Sequence, residues 1–265
     1  MGSLASKKTV LIIPVYNNTK LTEKCLQSIF DVKEQNPRFE VLVVDDGSAQ
    51  DTKDCLTKFP ISLLTNETNL GYMVTTNRGI DYALKTMGAD HVALMNNDLV
   101  VFGGWLKKLV DVLAIYDIAG YIDFGRSKLG SAEHKEAYFV EGSCMIAKRE
   151  VFDKIGTLDF AFKNGYYSDG DFCLRALLDG FKIGILNNTA PVFVEHHGGQ
   201  TFGSKRYDNL RASYNVFYDK WHRQKGNPFV DNFLGETEFN PNKLIFRIED
   251  WVKRTLGLGD YKKRS

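Results

Sequence analysis

Two short polar clusters and a pair of histidines in this chain combine residue types that can hold a metal ion and move a proton. Asn96-Asn97-Asp98 directly follows the apolar run 91–95, so three oxygen-bearing side chains sit where a strand ends. Mg²⁺ or Mn²⁺ takes one or two protein carboxylates and fills its octahedron with water and phosphate oxygens. A sparse set therefore suffices when a diphosphate arrives with the ion. Asp98 is the candidate ligand and Asn96 a possible one, although the same tripeptide suits a plain turn. Ser168-Asp169-Gly170-Asp171 opens an apolar-periodic stretch. One acid there can serve as a base while the other satisfies the free amides of a helix start, and we expect Asp169 to face a cleft and Asp171 to cap. His196 and His197 close a short strand, where a neutral imidazole can complete a metal's coordination or simply stand in solvent.

These groups need a frame. Residues 10–13 and 41–44 are continuous, β-branched-rich apolar runs, the pattern of strands covered on both faces of a parallel sheet. Between them Leu21, Cys25, Ile29 and Phe30 recur at helical spacing, with Thr19 or Thr22 available as a cap, so a strand-helix-strand unit results. Strands at 61–64 and 91–95, with helices at 72–85 and 105–113, continue the alternation. The first strand ends in Pro14-Val15-Tyr16-Asn17 and the second in Asp45-Asp46-Gly47-Ser48, both at the carboxyl edge where open α/β sheets bind ligands. A carboxylate there can accept a hydrogen bond from a ribose hydroxyl or a base N–H, or it can cap the next helix.

Beyond residue 114 the alternation loosens. Residues 125–136 form a polar, glycine-containing loop, followed by a strand at 138–147 and a helix at 150–155. A helix at 171–179 and strands at 183–185 and 192–194 come next. Residues 198–205 are glycine-rich and suit a lid. Leu210, Tyr214, Phe217, Tyr218 and Trp221 recur at helical steps, and a second amphipathic stretch at 244–256 precedes the short basic cluster 262–264. The apolar face of 244–256 either packs on the catalytic domain or rests peripherally on a membrane. We divide the chain into a leader (1–8), a catalytic domain (9–205, with halves at 9–114 and 115–205) and a helical extension (206–265).

Lys plus Arg total 34 against 33 for Asp plus Glu, a net charge of +1 that supplies no global field for gripping nucleic acid. A hydrophobic share of 43% with 25% charged residues fits an ordinary folded protein and argues against disorder or a membrane span. Cys25, Cys55, Cys144 and Cys173 lack any Cys-x-x-Cys pairing and fall in apolar segments, so reduced buried thiols are expected. With no signal-like apolar run at the start, residence in the cytoplasm is the simplest expectation.

The order and spacing of these segments resemble family-2 glycosyltransferases of the GT-A fold, in the branch containing many rhamnosyltransferase-like enzymes, over roughly residues 10–199. The matching motifs are Pro-x-Tyr-Asn at 14–17, Val-Asp-Asp-Gly-Ser at 44–48, and Asn-x-Gly at Asn69-Leu70-Gly71 and Asn77-Arg78-Gly79. The metal-binding Asp-x-Asp falls at 96–98. Gly142, an Arg-Glu-x-Phe helix at 149–152, Glu-Asp-x-Asp-Leu-Cys-x-Arg at 168–175 and His-x-Gly at 196–198 complete the series. Asn96 replaces the first acid of the metal motif, and Ser168 replaces the acid before the base. The resemblance implies a Rossmann-like, mostly parallel α/β sheet flanked by helices, with a C-terminal helical appendage. It implies that Asp45 or Asp46 reads the nucleoside and that Pro14, Tyr16, Asn17, Gly71, Asn77, Arg78 and Asn97 complete the nucleotide site. Asp98 then holds a divalent cation, Mn²⁺ or Mg²⁺, with His196 as a further ligand and Asn96 or His197 as possible ones. Asp169 is the catalytic base.

The reaction expected is inverting transfer from a UDP-, dTDP- or GDP-linked sugar to a saccharide or lipid-linked saccharide hydroxyl. The competing readings are a glycan or nucleotide-sugar binding module without catalysis and, more distantly, a nucleotidyltransferase, which lacks its glycine-rich phosphate loop here. No Gly-x-Gly-x-x-Gly follows the first strand, which disfavours an NAD-linked dehydrogenase.

Overall fold

The apolar runs at the start of the chain become β1 (Thr9–Val15) and β2 (Phe39–Asp45), paired in parallel with Val15 opposite Asp45. Their side chains alternate between two cores. Leu11, Ile13 and Val15 enter one, while Val10 and Ile12 enter the other, as a strand covered on both faces requires. In a computed structural model of the chain, residues 7–121, 133–188, 192–196 and 206–235 are described. Residues 1–6, most of the 125–136 loop, His197, the expected lid at 198–205, the amphipathic stretch 244–256 and the basic cluster 262–264 lie outside them.

The remaining elements follow in order. They are α1 (Thr19–Asp31), α2 (Gln50–Leu56), β3 (Ser62–Thr65), α3 (Tyr72–Lys85), β4 (His91–Met95), β5 (Leu99–Val101), α4 (Trp105–Val112) and β6 (Ile118–Tyr121). The second half adds β7 (His134–Ala137), β8 (Cys144–Lys148), α5 (Arg149–Ile155), α6 (Ser168–Leu178), β9 (Ile183–Leu186), β10 (Val194–His196), α7 (Arg206–Trp221) and α8 (Pro228–Gly235). An eight-stranded sheet runs in the order β3-β2-β1-β4-β8-β6-β9-β7. The pairs β3–β2, β2–β1, β1–β4 and β6–β9 are parallel, and the other three are antiparallel. The chain leaves β1 for β2 on one side and reaches β4 on the other, so a crevice opens beyond the carboxyl ends of β1 and β4. A separate ribbon pairs β10 antiparallel to β5, with His196 opposite Leu99.

Several expectations change. The strand expected at 138–147 is only β8, because the chain turns at 141–143 before entering the sheet. Part of the polar loop forms β7, an edge strand whose exposed polar alternation hides it from an apolar-run criterion. Neither Thr19 nor Thr22 caps α1; Asn18 does so in the left-handed region (φ 54°) with no side-chain cap. Thr19 Oγ1 instead donates to Asp51 at 2.7 Å, and Thr22 Oγ1 accepts from Asn97 Nδ2 at 2.8 Å. All four cysteines are free and buried. Among the described residues no helix is long and apolar enough to cross a membrane.

Candidate active site

At the carboxyl edge of β2 the two neighbouring acids have different work. Asp46 is almost fully enclosed, and its Oδ1 accepts the Leu70 N–H and the Asn66 amide, both at 2.8 Å, while Oδ2 accepts the Gly71 N–H at 3.0 Å. It therefore shapes the 66–71 loop and sets the start of α3. Asp45 accepts only the Ser48 N–H, at 3.1 Å, and its buried Oδ2 has no hydrogen-bond partner among the described residues. A buried oxygen left without a donor costs free energy, so Asp45 is the acid with an acceptor to spare for a ligand. Gly47 between Asp46 and Ser48 is obligatory on two counts. Its φ is +72°, and a Cβ would lie 2.6 Å from the Thr68 carbonyl carbon.

Other expected nucleotide ligands are already engaged. Asn77 is buried, and its amide both donates to Leu158 O (2.7 Å) and accepts from Leu158 N (3.0 Å), which makes it a clamp between α3 and the 157–159 segment. Both polar atoms of its side chain thus hold a backbone segment 81 residues away. Its motif partner Gly79 lets α3 lie close to the sheet, since a Cβ there would approach Ile12 Cγ2 to 2.6 Å. Arg78 Nη1 donates to Thr65 O at 2.9 Å and also to the Asn66 side chain. Asn17 holds the 48–49 turn by donating its N–H to Ser48 Oγ and accepting from Ala49 N, each at 2.8 Å. Pro14 ends within β1, and Tyr16 is exposed beside it.

The metal candidates meet through the β5/β10 ribbon. Asp98 immediately precedes β5, and His196 pairs across from Leu99, which brings His196 Nε2 to 3.2 Å from Asp98 Oδ1. The two atoms are not aligned as a hydrogen bond, so Oδ1 is a buried oxygen without a donor among the described residues. Neighbouring ligands on an octahedral ion with bonds of about 2.1 Å stand about 3 Å apart, so this pair fits two positions around Mg²⁺ or Mn²⁺. Among the described residues no group of three or more His, Cys, Asp or Glu could hold an ion. A diphosphate and water would have to supply the remaining ligands. Asn96 anchors the same edge through its N–H to Ser143 O at 2.9 Å, and Asn97 is turned toward α1.

Asp169 lies in the first turn of α6, with Oδ2 accepting the Gly142 N–H at 3.0 Å and Oδ1 the Gly170 N–H at 2.9 Å. Burial pushes its carboxyl pKa above the ordinary value, against the downward pull of those amides. Asp171 does not cap the helix, contrary to the expectation from its position. It is fully buried, accepts from Arg175 Nε (2.8 Å) and Trp221 Nε1 (3.0 Å), and forms an ion pair with Lys220 Nζ (2.7 Å). That engagement also removes it as a candidate base. Asp171→Ala should destabilise the fold by about 3 kcal/mol, because two cations lose their buried counter-charge. A urea midpoint shift at constant m-value would measure this, and an unchanged midpoint would show that solvent screens the network.

Tyr72, which motif reasoning overlooked, packs against Gly165, three residues before α6. It is the first residue of α3, and burial, then Asp169, then Asp98 push its phenol up to about 12. Its hydroxyl thus stays protonated at neutral pH. The signal was its place directly after Gly71, whose N–H Asp46 holds.

Residues 10–134 match the family model described as Glycosyl transferase family 2. That match is a likeness over 125 of the 265 residues. The Glycosyltransferase AglE of Haloferax volcanii is 26% identical over 151 residues, covering 53% of this chain and 48% of its own length. The chain spans about half the length of the curated relatives it matches. Among solved structures, S. aureus TarS 1–349 in complex with UDP-GlcNAc superposes with a TM-score of 0.58 at 18% identity, over 93% of this chain and 79% of that one. Mannosyltransferase PcManGT from Pyrobaculum calidifontis, in complex with GDP-Man and Mn²⁺, gives 0.60 at 15% identity, over 97% and 81%. These likenesses show the fold, a GT-A α/β sheet flanked by helices.

Proposed function

We propose that this chain is a family-2 glycosyltransferase that transfers a sugar from a nucleoside-diphosphate sugar to a hydroxyl of a saccharide or lipid-linked saccharide acceptor, with inversion at the anomeric carbon, in the building of a glycan. The observation that carries this reading is the convergence of three chain-distant groups. Asp98 and His196 stand 3.2 Å apart, and the 142–143 turn bonds both Asn96, two residues before Asp98 (Ser143 O, 2.9 Å), and Asp169 (Gly142 N–H, 3.0 Å). The nucleotide-sugar complexes of TarS and PcManGT, the second with Mn²⁺, support the donor class.

Each group has a task. Asp45 offers its spare oxygen to the nucleoside at the end of β2, and Asp46 keeps the adjoining loop in shape. A divalent cation held by Asp98 and His196 would neutralise charge on the departing diphosphate. Asp169 accepts the acceptor's hydroxyl proton as the new oxygen–carbon bond forms and the bond to the diphosphate breaks on the opposite face. Its raised pKa makes it a stronger base than an exposed carboxylate, and the Gly142 and Gly170 amides hold its orientation.

A hydrolysis screen of UDP-, dTDP- and GDP-sugars with Mn²⁺, Mg²⁺ and chelator tests the reading. One donor class should release nucleoside diphosphate with metal and cease with chelator. Tight donor binding without release under any metal would identify a binding module instead.

A further inference from the structure

Asp169 and Asp171 leave α6 in opposed directions, since two residues turn a helix by about 200°. Asp169 meets the Gly142 turn, and Asp171 meets α7. Residues flanking Asp169 on that second side pack against the C-terminal helices. Tyr167, just before the helix, packs its ring 5.7 Å from Tyr214 and 5.6 Å from Phe217 of α7. At Gly170 an added Cβ would lie 3.6 Å from Phe233 of α8 and 3.8 Å from Phe217. Asp171 pairs with the Lys220 cation and accepts the Trp221 N–H. Lys220 also donates to Asp159 at 2.6 Å, next to the Leu158 backbone that Asn77 clamps. Arg175 extends the lock from Asp171 to the Ile155 and Thr157 carbonyls, at 2.5 and 2.8 Å.

We infer that Lys220 and Trp221 are positioning residues that hold the Asp169 carboxylate at the cleft through Asp171, so that α7 is part of the catalytic apparatus and not an appendage. The inference rests on the reading of Asp169 as base. A helical turn is stiff, so loosening Asp171 displaces Asp169, and transfer is sensitive to displacements well below the size of a side chain. The donor site, built on β1, β2 and β5, is untouched by such a shift.

The test is steady-state kinetics on the full chain with the donor that responds in the screen, alongside nucleoside-diphosphate affinity by calorimetry. Trp221→Phe keeps the ring in its apolar cluster with Phe162, Leu174, Phe217 and Val230 but deletes the N–H donor. Lys220→Met keeps the stem and deletes the charge, while Lys220→Arg restores a donor. Trp221→Phe and Lys220→Met should each lower kcat about tenfold with donor KM and nucleotide affinity within about twofold, and Lys220→Arg should recover most of the loss. Wild-type kcat in both variants, with Asp169→Asn inactive, would overturn the positioning role alone. So would a parallel loss of nucleotide affinity, which marks general loosening. Undiminished transfer by Asp169→Asn would remove the base reading itself.

Discussion

Asp169→Asn should fold normally and transfer sugar about 10²- to 10⁴-fold more slowly, because the change preserves shape and removes the proton acceptor. Donor KM should hardly move, since Asp169 touches the Gly142 and Gly170 amides and no part of the β1–β2 edge. The wild-type pH profile supplies a second check. A base works only when ionised, so kcat/KM must fall as pH drops through the pKa of Asp169. Burial raises that pKa, so the acid limb should lie above the ordinary carboxylate value of about 3.9. The stability linkage has the opposite sense. A carboxyl whose folded pKa exceeds its unfolded one contributes stability below the unfolded value and loses it as pH rises through the folded value. At neutral pH the charge is therefore a cost that Asn relieves, against the loss of one accepted amide, and Tm should change by no more than about 3 °C. A collapse of Tm would mean that Asp169 is structural.

Asp98→Ala should be as damaging by a different route. Removing one of two protein ligands from a site that fits a divalent cation should reduce transfer about 10²- to 10³-fold. It should also abolish the dependence of nucleoside-diphosphate affinity on Mn²⁺. Calorimetry with metal and with chelator measures this directly: the wild type should bind more tightly with metal, and Asp98→Ala equally in both. A variant that keeps its metal dependence would move the ion elsewhere on the edge. His196→Ala should show the same pattern more weakly, as the neutral partner of the pair.

The frame of this site was legible because its signals are local. Continuous apolar runs gave β1, β2 and β4, and apolar spacing gave α3 and α6 within a few residues. Elements with weak local signals were missed: β7 is a polar edge strand, and β5 is three residues long and depends on β10 for pairing. Side-chain assignments stayed open where two acids or amides carried equal local evidence. Asp45 and Asp46 are adjacent and chemically identical, yet one is left with a spare oxygen and the other holds three donors. Asn77 lies in a motif suggestive of ligand binding, but its partner Leu158 is far along the chain.

Residue order alone determined the class of sheet, the edge where ligands would gather and the identities of Asp98, Asp169 and His196 as candidates, because periodicity and strand ends are properties of neighbouring residues. Tertiary structure decided which of those polar groups keep a lone pair for a ligand and which spend it on the fold. That choice depends on donors arriving from remote segments, such as Lys220 and Trp221 at Asp171 or the ribbon that carries His196 to Asp98. A hydrogen bond acts over about 3 Å of space, and separation along the chain does not measure that distance.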